Sequence, residues 1–220
     1  MDNLCIAMAK GRLAKEAVNL FREAGYDLPE NMLKSRKLIF EIENENFEII
    51  LVKPADVPIY VEYGTADLGI VGKDTLLEEN RDLYEVLDLN YGVCEFALAG
   101  LPDRKDTLLE HKVATKYPDF TRRYFRKKGE PVEIIKLNGS IELAPLTGLA
   151  DTILDIVETG RTLKENGLVV YESIRDLSAR LVVNKVSMKT RQKEIASIIE
   201  ALDEVVTGAV SYTHLTLPTT

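Results

Sequence analysis

Short uninterrupted apolar runs alternate along the chain with stretches whose apolar residues recur every three to four positions. The run Leu4-Cys5-Ile6-Ala7-Met8-Ala9 has the length of a buried strand, and Leu13, Ala17, Leu20, Phe21 and Ala24 that follow it mark one face of a helix. Gly25 stands where that helix needs a C-terminal cap. Leu38 to Ile42 and Phe47 to Val52 predict two more strands. Pro54-Ala55-Asp56-Val57-Pro58 then breaks the pattern and opens a helix through Tyr60 and Val61, with Asp56 as its expected N-cap and Gly64 at its close. Asp67 to Val71 is a short buried strand, and Gly72-Lys73-Asp74 turns the chain into a helix over Thr75 to Glu79.

A second set of the same kind begins near Val93. Glu95 to Leu101, Lys112 to Thr115 and Val132 to Lys136 are predicted as strands, with a helix over Asp119 to Lys128. Two β-rich runs follow, Leu168 to Ser173 and Arg180 to Val186, and a helical stretch over Thr190 to Val206 is expected to return to the first set. Strand and helix in alternation define an α/β chain whose sheets carry helices on their faces. From Val205 to Thr220 there is no charged side chain, where about five are expected. Residues 207–220 are therefore set apart as a tail, and Ser211 onward is expected to be disordered or foreign to the fold.

Composition narrows the function. With 28 Lys plus Arg against 36 Asp plus Glu the formal net charge is −8, and no long basic block offsets it, which argues against nucleic-acid binding. No run of apolar residues is long enough to span a membrane, and the segment ahead of Lys10 lacks the plan of a secretion signal, so a cytoplasmic protein is expected. The only cysteines, Cys5 and Cys94, form neither a disulfide framework nor a metal knuckle and are expected to be small buried apolar residues. His111 and His214 have no acid, base or metal partner at useful spacing. Neither G-x-x-x-x-G-K-[ST] nor G-x-G-x-x-G occurs.

One segment does offer phosphate chemistry. In Asp151-Thr152-Ile153-Leu154-Asp155-Ile156-Val157-Glu158-Thr159-Gly160-Arg161-Thr162 an apolar element runs into a Thr-Gly-x-Thr turn. Successive backbone N–H groups from Glu158 to Thr162 can converge on a phosphate, Gly160 permits close approach, and two hydroxyls add donors. Asp155, about one turn earlier, is placed to accept from sugar hydroxyls. The plainer reading of four such residues is an ordinary turn beside a solvated carboxylate.

The surrounding residues favour the functional reading. Asn138-Gly139-Ser140-Ile141-Glu142-Leu143-Ala144-Pro145-Leu146-Thr147-Gly148-Leu149-Ala150, joined to the loop, resembles the signature of the ATP phosphoribosyltransferase family. So do Ala9-Lys10-Gly11-Arg12-Leu13, the block from Lys53 to Asp74, Val113 to Pro118, and Ala179 to Asn184. Together they cover about residues 4–205 in the family's order.

The resemblance implies a two-lobed fold similar to type II periplasmic binding proteins, each lobe a mixed sheet flanked by helices. Residues 1–93 with 175–206 would form the first lobe, and 94–174 an inserted second lobe carrying the phosphate loop, with the active site in the cleft between them. The implied reaction joins N1 of ATP to the ribose C1 of phosphoribosyl pyrophosphate, releasing pyrophosphate, with Mg2+ held mainly by substrate oxygens. By resemblance, Arg12, Glu142 and Asp155 serve the reacting centre. Asp151, Asp155, Glu158, Thr159, Gly160, Arg161, Thr162, Lys10 and Lys53 would hold phosphoribosyl pyrophosphate. Lys10, Gly11, Arg12, Asp67, Leu68 and Lys73 would border the nucleotide. Taken without the resemblance, Lys10, Lys53 and Lys73 read as surface lysines, and Glu142 as a cap of the element after it. Asp67 beside a buried strand must in any case find partners.

The family's longer members carry a regulatory domain that this sequence lacks after residue 206. The resemblance is thus to the short form, which works with a histidyl-tRNA-synthetase-like regulatory subunit in a hetero-octamer. Two alternatives stand beside it: a solute-binding module without chemistry, whose two-lobed architecture the family shares, and a cytosolic AMP or ATP sensor.

Overall fold

The apolar runs become strands and the periodic stretches helices, arranged as two units. The computed structural model describes residues 3–42, 45–102 and 111–213, so His214 and the last residues of the tail lie outside it. Unit 1 comprises residues 1–76, 80–92 and 178–220, and unit 2 comprises 77–79 and 93–177.

Unit 1 is built from β1 (Leu4–Ala9), α1 (Arg12–Glu23), β2 (Ile39–Glu41), β3 (Phe47–Val52), α2 (Val57–Glu62), β4 (Leu68–Gly72), α3 (Lys73–Glu79), β5 (Tyr84–Asp88), β11 (Ala179–Val183), α7 (Ser187–Thr190) and α8 (Gln192–Thr213). Its six strands run in the order β2-β3-β1-β4-β11-β5. The central three are parallel, with Ala9 opposite Val52 and Met8 opposite Ile70. Strands buried on both faces need continuous apolar sequence, and alternate residues of β1 show why. Leu4, Ile6 and Met8 pack with α1 and α8, while Cys5, Ala7 and Ala9 pack with Val57 and Val61 of α2.

Unit 2 contains β6 (Cys94–Gly100), β7 (His111–Thr115), α4 (Pro118–Lys128), β8 (Val132–Lys136), α5 (Leu143–Leu146), β9 (Thr152–Val157), α6 (Arg161–Glu165) and β10 (Val169–Leu177). The strand order is β10-β6-β9-β7-β8, with β9, β7 and β8 parallel and β6 antiparallel to both its neighbours. Phe125 of α4 packs in a cluster with Phe96, Val113 and Leu154 on one face. Ala144 of α5 and Leu163 beyond the Gly160 turn pack with Ala99, Ala114 and Ile153 on the other. Both sheets are therefore mixed and flanked by helices on both faces.

Several local expectations change. Asp56 does not cap α2: it sits in a 3-10 turn over Pro54–Asp56 with helical dihedrals, and its side chain makes no capping bond. The apolar element ahead of the phosphate loop is strand β9, so Asp155 precedes the loop along an extended chain rather than by a helical turn. The final helix does not stop at Val206 but continues to Thr213, so the first seven residues assigned to a tail are helical. The polar strand β5 carries no apolar run to announce it, its residues being half-buried or exposed.

Candidate active site

The phosphate loop sits at the carboxyl end of β9. Gly160 has φ +67, a left-handed conformation that a side chain resists, and α6 starts at the next residue. The N–H groups of a helix's first turn have no acceptor within the helix. Here they belong to Arg161, Thr162 and Leu163, with Lys164 N–H the first to find its intrahelical acceptor, the Gly160 carbonyl, at 3.0 Å. The Thr159 hydroxyl accepts from Arg161 N–H at 3.4 Å, folding the loop back on itself, and Arg161 Nε donates to Glu165 at 2.7 Å on the exposed side.

A cavity of about 260 Å³ opens at this loop. Its rim is Glu158 to Thr162, and Glu142 and Asp155 also line it. The wall behind is formed by β6 and β9, where Ala97 lies opposite Asp155 and Ala99 opposite Ile153. Two alanines on one face of β6 leave room that larger side chains would fill, and this alternation of small residues is a signal that sequence reading passed over. Asp155 is half-buried, and its Oδ1 accepts from Ile156 N–H at 2.9 Å. Glu142 stands at the N-cap position of α5 but makes no side-chain capping bond, so capping does not account for it.

Asp151, expected beside the loop, is not there. It precedes β9 and so lies at the strand's opposite end, where its carboxylate accepts from Lys112 N–H at 2.7 Å. His111 is at the same end, with Nε2 2.7 Å from the Thr152 hydroxyl and its ring edge-on to Phe125.

In unit 1 the predicted residues fall at two opposite edges of the sheet. Lys10, Gly11 and Arg12 follow β1, Lys53 follows β3 and Lys73 follows β4, so all five lie just past the carboxyl ends of three adjacent parallel strands. That edge is where open α/β sheets bind ligands. Lys10, Arg12 and Lys53 are exposed, and Gly11 makes the turn into α1 at φ +110. Lys73 is ion-paired with Glu85 and is not an ordinary free surface lysine.

Asp67 and Leu68 stand at the amino edge instead. Leu68 is completely buried in the sheet core. Asp67 is nearly buried, and its carboxylate accepts from Cys5 N–H at 2.9 Å, from the Ser187 hydroxyl at 2.6 Å and from Arg191 Nη1 at 3.0 Å. These bonds join β1, β4, α7 and the start of α8. The partners a carboxylate needs beside a buried strand are thus all internal. Cys5 is buried too, and burial above all, then Glu48 and Asp67, pushes its thiol up to about 12, leaving an inert protonated side chain.

The fold and this cavity place the chain among two-sheet α/β proteins of the type II periplasmic-binding-protein kind. Solved structures share that fold at low identity: the aliphatic sulphonate binding protein of Escherichia coli at TM-score 0.57 (14% identity, 97% of this chain and 71% of that one), and an amino acid ABC transporter's substrate binding protein at 0.56 (13% identity, 94% of each). A model of the family "ATP phosphoribosyltransferase" matches residues 53–204. Relatives of that name are 58% identical over 210 residues in Clostridium botulinum strain Langeland and 56% over 209 in Halalkalibacterium halodurans, in both cases covering 94% of this chain and 99% of the relative. The ATP phosphoribosyl transferase (HisG:HisZ) complex from Thermotoga maritima contains a chain 36% identical, with TM-score 0.82, covering 93% of this chain and 99% of that one. The chain belongs to the ATP phosphoribosyltransferase family, pentosyltransferases that open histidine biosynthesis, and the family model and the relatives' names support the enzyme rather than a sensor or a solute binder without chemistry. Among the described residues no helix is long and apolar enough to cross a membrane.

Proposed function

We propose that the cavity of unit 2 holds phosphoribosyl pyrophosphate and that the carboxyl edge of the unit 1 sheet holds the phosphates of ATP. The observation that carries the first half is that one cavity collects Glu142, Asp155 and the Glu158 to Thr162 loop. The loop's N–H groups and the Thr159 and Thr162 hydroxyls bind the ribose 5-phosphate, and Asp155 accepts from the ribose hydroxyls. Lys10, Arg12, Lys53 and Lys73 face the nucleotide phosphates.

In the reaction the N1 lone pair of adenine forms a bond to ribose C1 as the bond from C1 to pyrophosphate breaks, and the electron pair leaves with pyrophosphate. C1 becomes cation-like on the way, so Asp155 and Glu142 lower the barrier by carrying negative charge on the side of the ring. Adenine N1 is unprotonated at neutral pH, and no general base has to act before attack; the site works by position and charge.

Magnesium fits this arrangement as an ion carried in on substrate oxygens with most of its waters. Among the described residues no three His, Cys, Asp or Glu side chains are grouped to cage a metal, so Asp155 and Glu158 are the hard oxygen donors that would face it. When bound it offsets charge on the pyrophosphate.

The partner is a histidyl-tRNA-synthetase-like regulatory subunit in a hetero-octamer, and the compartment is the cytoplasm. Support for the partner comes from the similar Thermotoga maritima chain, which belongs to a HisG:HisZ complex.

The test is the double variant Thr159→Ala/Thr162→Ala, assayed for phosphoribosyl-ATP by its ultraviolet absorbance with and without the regulatory subunit. Losing two hydroxyl donors to a phosphate raises KM for phosphoribosyl pyrophosphate by roughly 10-fold or more with the melting temperature unchanged. Unchanged kinetics would remove the loop from the site.

A further inference from the structure

Lys73 opens α3 directly after β4, and its ammonium is paired with the Glu85 carboxylate on β5. Glu85 has a second cationic neighbour, because Arg180 Nη1 lies 3.4 Å from its other oxygen. Arg180 Nη2 in turn holds Asp88 at 2.7 Å, and Asp88 also accepts from the Ser178 hydroxyl at 2.7 Å. Two cations thus face two carboxylates, and the cluster's formal charge is zero. Lys73 and Arg180 are about one-fifth exposed.

A polyphosphate reaching the carboxyl edge at β4 therefore meets a lysine whose charge is already balanced. To contact the phosphate, the ammonium must share or leave Glu85. Leaving does not strand Glu85, because Arg180 remains beside it.

We propose that Glu85 competes with nucleotide phosphate for Lys73 and so holds ATP affinity below what the cations of this edge would otherwise give. This rests on the reading above that Lys73 faces the nucleotide. The competition is electrostatic, between a fixed carboxylate and a mobile triphosphate, and it weakens as salt screens both.

The experiment is calorimetric titration of the full chain with MgATP at low and high ionic strength, using Glu85→Gln, Lys73→Ala and the double variant. Glu85→Gln is expected to tighten binding by about 5-fold at low salt, the size of one half-exposed ion pair, with the gain shrinking at high salt and absent in the double variant. Lys73→Ala alone is expected to weaken binding. If Lys73→Ala weakens binding while Glu85→Gln leaves it unchanged or weaker, the competition is wrong and the nucleotide contact stands. If neither variant changes binding, the placement of ATP phosphate at Lys73 falls, and this proposal with it. A gain that survives in the double variant overturns the role of Lys73. Glu85→Asp, one methylene shorter and still beside Arg180, is a gentler second variant should Glu85→Gln fail to fold, and no tightening there would equally overturn the competition.

Discussion

Asp67 and Asp155 are both aspartates set against buried strands, and the structure puts them to opposite uses. Asp67 lies ahead of β4 and spends its carboxylate on Cys5 N–H, Ser187 and Arg191. Asp155 lies near the far end of β9, where its Oδ1 accepts from Ile156 N–H, and it lines a cavity. What separates them is strand polarity. An acid at the amino edge of a parallel strand meets N–H groups and side chains of the fold, whereas one toward the carboxyl edge meets the place where ligands enter. Asp151 follows the same rule, since it precedes β9 and is used up on Lys112 N–H.

The contrast breaks most visibly at Asp67. Asp67→Ala leaves the Cys5 N–H and the Ser187 hydroxyl without their acceptor and takes one of two carboxylates from Arg191, which keeps Glu194, and should cost about 2–4 kcal/mol of stability, read as a lower denaturant midpoint, with KM for ATP unchanged in the protein that remains folded. A variant of normal stability and raised KM would return Asp67 to the nucleotide site. Asp155→Asn should do the reverse, lowering kcat/KM by about 100-fold at constant melting temperature; equal losses of stability and rate would make it structural. Asp151→Ala tests the polarity rule at an exposed site, with a loss of about 1 kcal/mol for one hydrogen bond and no change in steady-state kinetics.

The smallest effect concerns pH. The folded Cys5 thiol is raised to about 12, so in alkali the unfolded chain loses this proton while the folded one keeps it. The native state then binds more protons than the unfolded one, and stability falls as pH rises above the ordinary thiol range. Tyr91, raised by burial and by Glu16, falls off in the same direction. Denaturation midpoints measured from pH 8 upward should decline, and Cys5→Ala should flatten part of that slope; an identical slope in the variant would assign it to other groups.

Much of the architecture was legible because buried parallel strands need runs such as Leu4 to Ala9, and a helix needs a face such as Leu13, Ala17, Leu20 and Phe21. Strand β5 was not, because an edge strand of half-exposed residues carries no such run. The helix past Val206 was missed because a stretch without charge reads as a tail, although Val206 itself packs in the core. In the candidate site, the loop, Asp155 and Glu142 could be grouped because their segments are near in sequence and the loop needs glycine. Asp67, Leu68 and Asp151 were grouped with ligand residues because a motif block spans both ends of a strand, and a block does not say which end faces the ligand. The role of Glu85 could not be read at all, since its partners Lys73 and Arg180 are distant along the chain and meet only through the sheet order.

That sheet order also dictates how the molecule must be made. β11 lies between β4 and β5, yet the 85 residues of unit 2 from Val93 to Leu177 are synthesised between β5 and β11. On a ribosome the first sheet waits, with the place between β4 and β5 unfilled, while nearly all of the second unit is delivered as one continuous stretch whose ends, Cys94 and Leu177, are opposite each other in a single ladder. The inserted unit can close first, and the host sheet is sealed only when Ala179 to Val183 arrive.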